Sequence, residues 1–131
     1  MIKAFILCKN DLFFKAIESL LSNAGIENVC YCKEPFKAVV LFEYSKADVV
    51  IMDINWEYHG YAGFEILAIF LSYDKNIKVI CVTTFFQHCI IEKLKLAGAR
   101  GYFFRSPAGP DKMNKCIKDV HNGIDHFIEQ E

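Results

Sequence analysis

The residues able to do chemistry in this 131-residue chain gather at the ends of apolar runs. Asp53 closes the run 49–52, Thr83 and Thr84 follow 79–82, and Arg105 follows 101–104. Cys8 and Lys9 close the run 2–7, with Asn10 and Asp11 after them. A partly buried carboxylate such as Asp53 requires a cationic or hydrogen-bonding partner. A thiol is a soft ligand and a potential redox centre, and the ammonium of Lys9 would lower its pKa. The apolar setting favours a buried spectator thiol for Cys8. Six cysteines are present, with no CxxC, and Cys30 and Cys32 in a strand would share one face. They read as small buried hydrophobes of a reducing compartment. His59, His88, His121 and His126 show no ligand spacing. No GxGxxG, P-loop or nucleophile elbow occurs. Residues 8–12 hold no glycine, serine or threonine to cradle a flavin phosphate.

The elements that position these residues follow from the apolar pattern. Residues 2–8 read as a buried strand. Asn10 or Asp11 caps a helix over 12–23, with Leu12, Ala16, Ile17, Leu20 and Leu21 inward and Gly25 closing it. A strand over 27–32 leads to a helix opened by Pro35 and running to Tyr44. The run 48–53 is a third strand, and 54–62 a loop rich in aromatics and glycine. A helix over 63–73, a strand over 77–82, a helix over 86–96 ended by Gly98, a strand over 101–104 and a helix from Pro110 to about Gly123 complete the chain. Residues 1–123 are read as one domain, and 124–131 as a tail or the start of a linker.

Five strand–helix repeats with unbroken apolar strands indicate an α/β fold whose parallel sheet is covered on both faces. With right-handed crossovers the expected fold is flavodoxin-like, a doubly wound (βα)5 sheet with strand order 2-1-3-4-5. In such sheets ligands bind beyond the C-terminal strand ends, where the residues named above stand. The chain is 53% hydrophobic and 24% charged, enough to build a core without staples. A net charge of -1 gives no electrostatic basis for direct binding of nucleic acid or an anionic membrane. The apolar N-terminus is too short for a signal peptide or a span, so a cytoplasmic location is expected.

Three ordered segments carry a family resemblance: DVVIMDI at 48–54, VICVTT at 79–84 and AGARGYFFR at 97–105. Together they resemble the signature strands of CheY-like response regulator receiver domains, over essentially the whole chain. The segment from Pro110 to IKDVHNG at 117–123 is most similar to the FixJ/NarL (LuxR-type) class. The resemblance implies that Asp53 is the phosphoacceptor position and that Asn55 offers a backbone carbonyl to Mg²⁺. It implies too that Thr83 binds phosphoryl oxygen and that Tyr102, with Thr83, forms the switch. In the family, an acidic pair after the first strand completes the metal site, and a lysine follows the fifth strand.

This chain departs from that pattern. The acidic pair falls on Cys8 and Lys9, a poor Mg²⁺ ligand and a cation that repels the ion. Arg105 replaces the lysine, and the two are not interchangeable. The loop after Asp53 lacks the usual proline and is about two residues longer, bulky enough to cover the pocket or meet a partner. The expectation is that Lys9 points into the pocket, pairs with Asp53 and takes over the charge balance of Mg²⁺, leaving no metal or other cofactor. The chain would then be a signalling module and not an enzyme. It would act as an atypical receiver for dimerisation and relay in a transcriptional regulator, with Mg²⁺-dependent phosphorylation weakened or lost. The competing expectation is a competent receiver phosphorylated on Asp53. Partners implied are a second copy of the chain, a sensor kinase and a C-terminal DNA-binding output domain absent from this chain.

Overall fold

The structure is a computed structural model that describes residues 1–54, 57–58, 61–83, 88–104 and 110–127. Its central parallel sheet contains β1 (Lys3–Leu7), β2 (Glu27–Cys32), β3 (Val49–Asp53), β4 (Val79–Thr83), β5 (Gly101–Phe104) and β6 (His126–Phe127). Their spatial order is β2-β1-β3-β4-β5-β6, the expected doubly wound order with one strand added. The helices are α1 (Asp11–Asn23), α2 (Pro35–Ser45), α3 (Gly63–Tyr73), α4 (His88–Ala97) and α5 (Pro110–His121).

Strand alternation sorts the apolar side chains into two cores. Phe5, Leu7, Val50, Met52, Val79, Cys81 and Tyr102 pack with residues of α2, α3 and α4 on one face. Ala4, Ile6, Val49, Ile51, Ile80, Val82 and Phe103 pack with α1 and α5 on the other. Successive strand residues point to opposite faces, so a strand buried on both sides must be apolar throughout. Polar side chains are thereby displaced to the strand ends.

Local signals set the helix boundaries. Asn10 caps α1: its side chain accepts from the backbone N–H of Leu12 at 2.8 Å and of Phe13 at 3.3 Å. The inner line of α1 is Phe13, Ile17 and Leu21, spaced by four residues. Leu12, expected inward, is 77% exposed. One residue is a rotation of about 100°, so the face that buries Phe13 turns Leu12 toward solvent. Pro35 opens α2, where its missing N–H costs nothing.

Two features arise within segments read as irregular. Glu57–Tyr58 and Tyr61–Ala62 pair as an antiparallel hairpin inside the loop after β3. Residues 126–127, within the segment set apart as tail or linker start, pair in parallel with Gly101 and Tyr102 to form β6. His126 donates its backbone N–H to the carbonyl of Arg100 at 3.0 Å, and its ring is hydrogen-bonded to Asp119 of α5. The β6 pairing depends on contacts distant in sequence, so local propensity does not reveal it.

Gly63 joins the fold to the strand ends. A Cβ there would lie 2.1 Å from the carbonyl oxygen of Ile54, the residue after Asp53. Only glycine lets the start of α3 approach the end of β3 so closely. Gly63→Ala is therefore expected to destabilise the chain by about 1–3 kcal/mol, as overpacking does. Urea denaturation measures this, and an unchanged midpoint would show that the two segments separate freely.

Candidate functional site

The C-terminal ends of β1, β3 and β4 converge. Leu7 stands beside Met52 in the β1–β3 register, so Cys8 and Asp53 follow at one level. Asp53 stands beside Val82, and Thr83 follows it at the end of β4. Asp53 is half-buried, while Cys8 and Thr83 are fully buried. A carboxylate, a thiol and a hydroxyl thus meet where the sheet opens. Asn55 and Arg105 lie outside the described residues, as do Thr84 and Trp56.

Cys8 is held by the loop it begins. Its backbone N–H donates to the carbonyl of Cys32 at 3.2 Å, and its thiol donates to the carbonyl of Asn10 at 3.7 Å. Burial pushes the thiol from its ordinary value of 9.0 up to about 11, and the nearby charge of Asp53 adds to the rise. A hydrogen bond with Tyr31 works in the opposite direction without reversing it. Cys8 is therefore a neutral thiol at physiological pH, and a lowered, redox-reactive pKa is not what this environment produces. The described cysteines Cys8, Cys30, Cys32, Cys81 and Cys116 are all free.

Lys9 corrects an expectation. Its side chain is exposed, and among the described residues no ion pair joins it to Asp53. The chain alternates as it leaves β1, so the turn that buries Cys8 sends Lys9 outward. A strongly hydrated ammonium gains too little from a half-exposed carboxylate to give up its water.

A network on the β2 side was not singled out in the sequence. The Tyr31 hydroxyl donates to Asp11 Oδ1 at 2.9 Å, and Lys33 Nζ lies 2.7 Å from the same oxygen. Lys33, then Tyr31, holds the Asp11 carboxyl below the usual carboxylate range. The Tyr31 ring stacks on Phe14 at 3.8 Å with an interplanar angle of 3°. Strand alternation was the available signal: Tyr31 lies on the α1 face of β2, opposite Cys30 and Cys32. Asp11, the acidic residue of the β1–α1 turn, is thereby committed to Lys33 and Tyr31. Among the described residues no group of three His, Cys, Asp or Glu side chains forms a metal-binding cluster.

Tyr102 points inward. It is fully buried among the α3 and α4 residues, and among the described residues its hydroxyl has no hydrogen-bond partner. Burial pushes its pKa up to about 12. Tyr102→Phe is expected to raise stability by about 1 kcal/mol, because it removes a desolvated hydroxyl that gains nothing in return. A lowered melting temperature for this variant would mean that the hydroxyl is satisfied in solution.

Cys8 also gives a pH dependence. The unfolded thiol ionises near 9.0 while the folded one holds its proton to about 11. Its contribution is complete below the lower value and is lost as pH rises through the upper one. Stability measured in urea at pH 8 and pH 10 is expected to fall less in Cys8→Ala than in the parent chain. Equal falls would place the thiol in water.

Comparison with known proteins agrees with this geometry. A family model described as the response regulator receiver domain matches residues 6–118. Response regulator GacA of Pseudomonas aeruginosa is 30% identical over 131 residues, covering 99% of this chain. The chain spans 60% of that relative's length. A DNA-binding response regulator of the LuxR family from Staphylococcus aureus is 29% identical with a TM-score of 0.75, covering 93% of this chain and all of that one. A LuxR-family two-component response regulator from an Aurantimonas species superposes with a TM-score of 0.83 at 19% identity, over 95% of this chain and 87% of that one, a likeness of fold. Among the described residues no helix is long and apolar enough to cross a membrane.

Proposed function

This chain belongs to the response regulator receiver domain family, the signal-receiving module of two-component systems, and we propose that it is an atypical member in which Mg²⁺-dependent phosphorylation of Asp53 is weakened or lost. The observation that carries this reading is the pair after β1. Where the family pattern has two acidic residues, this chain has a buried neutral thiol at Cys8 and an exposed ammonium at Lys9. Magnesium binds hard oxygen anions in octahedral geometry. A neutral thiol is a poor donor to it, and Lys9 adds a like charge nearby. Asp11 does not replace the missing pair, because it is committed to Lys33 and Tyr31. In this reading the described residues after β1 do not fit Mg²⁺.

Phosphoryl transfer to a carboxylate depends on positioning and on neutralising the charge of the incoming group. In this reading Asp53 and Thr83 keep their places as acceptor position and hydroxyl, Asn55 and Arg105 complete the pocket, and Thr83 and Tyr102 form the switch pair. What is reduced is the cation that draws the phosphodonor in. The module's work is then protein–protein: pairing with a second copy and passing a conformational state to a C-terminal DNA-binding output domain that controls transcription. The input is a partner such as a sensor kinase acting by contact, and no cofactor is required. The longer relative from P. aeruginosa supports the existence of a further domain.

Incubation with acetyl phosphate and Mg²⁺, followed by intact-mass measurement, tests the reading. The parent chain is expected to stay largely unlabelled. Cys8→Asp combined with Lys9→Asp should gain a phosphoryl adduct that Asp53→Asn then abolishes. Stoichiometric labelling of the parent at Asp53 would defeat the proposal and restore the competent receiver.

A further inference from the structure

The chain returns to the sheet after α5. Gly123, at φ 86°, turns it back, and Ile124 donates its backbone N–H to the carbonyl of Asp119 at 2.8 Å. Residues 126 and 127 then lie beside Gly101 and Tyr102 as β6. Successive strand residues face opposite ways, so this two-residue strand meets both helix layers. His126 faces α5, where its Nδ1 lies 2.5 Å from Asp119 Oδ2. Phe127 faces the other layer and packs against the core that holds Tyr102. Lys95 of α4 covers its ring, with Nζ 5.2 Å from the centroid.

The edge of β5 is shaped for this segment. A Cβ at Gly101 would lie 3.2 Å from the carbonyl oxygen of His126 and 2.9 Å from Cγ2 of Val120. The Cys116 thiol donates to that same carbonyl at 3.5 Å. Asp119 ties the segment twice, by its backbone carbonyl to Ile124 and by its carboxylate to His126. The attachment is nevertheless small. β6 is two residues long, and both are only partly buried. A segment held by few buried contacts opens far more readily than a core strand.

Tyr102 and Phe127 are register partners, and their side chains share one face of the sheet. The Tyr102 hydroxyl has no hydrogen-bond partner among the described residues, so its inward position rests on apolar packing. Phe127 belongs to that packing and closes it at the sheet edge. Two segments that stabilise each other through a shared contact are coupled reciprocally, and what loosens one loosens the other.

We infer that residues 124–127 are a releasable strap whose Phe127 keeps Tyr102 in the core, so that strap release and outward movement of Tyr102 are one linked event. The inference rests on the reading of Tyr102 as half of the switch pair, and it ties the path of the chain beyond Phe127 to that residue. The 131-residue chain labelled with fluorotyrosine tests it. Fluorine NMR reads the solvent exposure of Tyr102, whose line is identified by its loss in Tyr102→Phe. Hydrogen exchange read by mass spectrometry follows the strap, and thermal melting verifies the fold of each variant. Phe127→Ala removes the contact itself, while Asp119→Ala cuts the tether on the opposite face of the sheet from the Tyr102 ring. Each should raise exchange over residues 124–127 about tenfold, the size expected for one lost charge-assisted hydrogen bond or a comparable contact. Each should also bring out a solvent-exposed population of Tyr102, which a merely local packing defect at Phe127 would not produce in Asp119→Ala. A strap that loosens while Tyr102 stays buried would overturn the inference, as would a parent strap that exchanges as freely as those of the variants. The switch reading is judged separately in the Cys8→Asp, Lys9→Asp chain once intact mass shows its phosphoryl adduct. An exposed Tyr102 there alone would keep the switch without the strap, and a buried Tyr102 in every chain would sink both.

Discussion

A parallel sheet buried on both faces leaves its polar groups only one kind of place to stand. From Ala4 onward in β1, and along β3 and β4, every side chain faces one of two apolar cores until the strand ends. A charge within those strands would be taken from water with no partner, at a cost that no local contact offsets. Asp53 is tolerated because it stands where β3 meets solvent and is only half-buried. Thr83, fully buried one step further along β4, is uncharged. The site is thus a consequence of the sheet before it is a consequence of any particular chemistry.

That constraint explains what was legible in the sequence. Unbroken apolar runs locate the strands, and Pro35 and Asn10 mark helix starts by backbone chemistry that needs no tertiary context. The places of Asp53, Thr83 and Tyr102 follow from strand ends and strand phase. The phase of α1 was less secure: Leu12 and Phe13 are equally apolar, and only docking on the sheet decides that Phe13 is inside. Lys9 was misplaced for a related reason. Residue type says that an ammonium and a carboxylate attract, but the direction of the turn after β1 decides whether they meet. The network of Tyr31, Asp11 and Lys33 joins two segments through side chains, and β6 joins residues 126–127 to a strand about 25 residues earlier. Strand alternation gives the face of Tyr31, but neither its side-chain partners nor the β6 pairing leaves a periodic signal.

Tyr102 shows the same balance from the opposite side. Its ring fills the core between β5 and the α3–α4 layer, a gain of apolar burial, while its hydroxyl has no partner among the described residues. Full burial of an aromatic ring outweighs the loss of one hydroxyl's hydration, since the first is worth about 1.5–3 kcal/mol and the second about 1–3 kcal/mol. The margin is narrow.

The identities of Cys8 and Lys9 set the electrostatics of the resting domain at the end of β1. Carboxylates crowded at one strand end repel one another, and each raises the pKa of its neighbours. A metal ion relieves that repulsion, so such a cluster is strained without its ion and relaxed with it. With a neutral thiol at position 8, the repulsion between that position and Asp53 is absent from the start. The remaining effect runs the other way: Asp53 helps to keep the thiol protonated. Thr83 and Tyr102 stand beyond that charge, both fully buried against the apolar cores of the sheet.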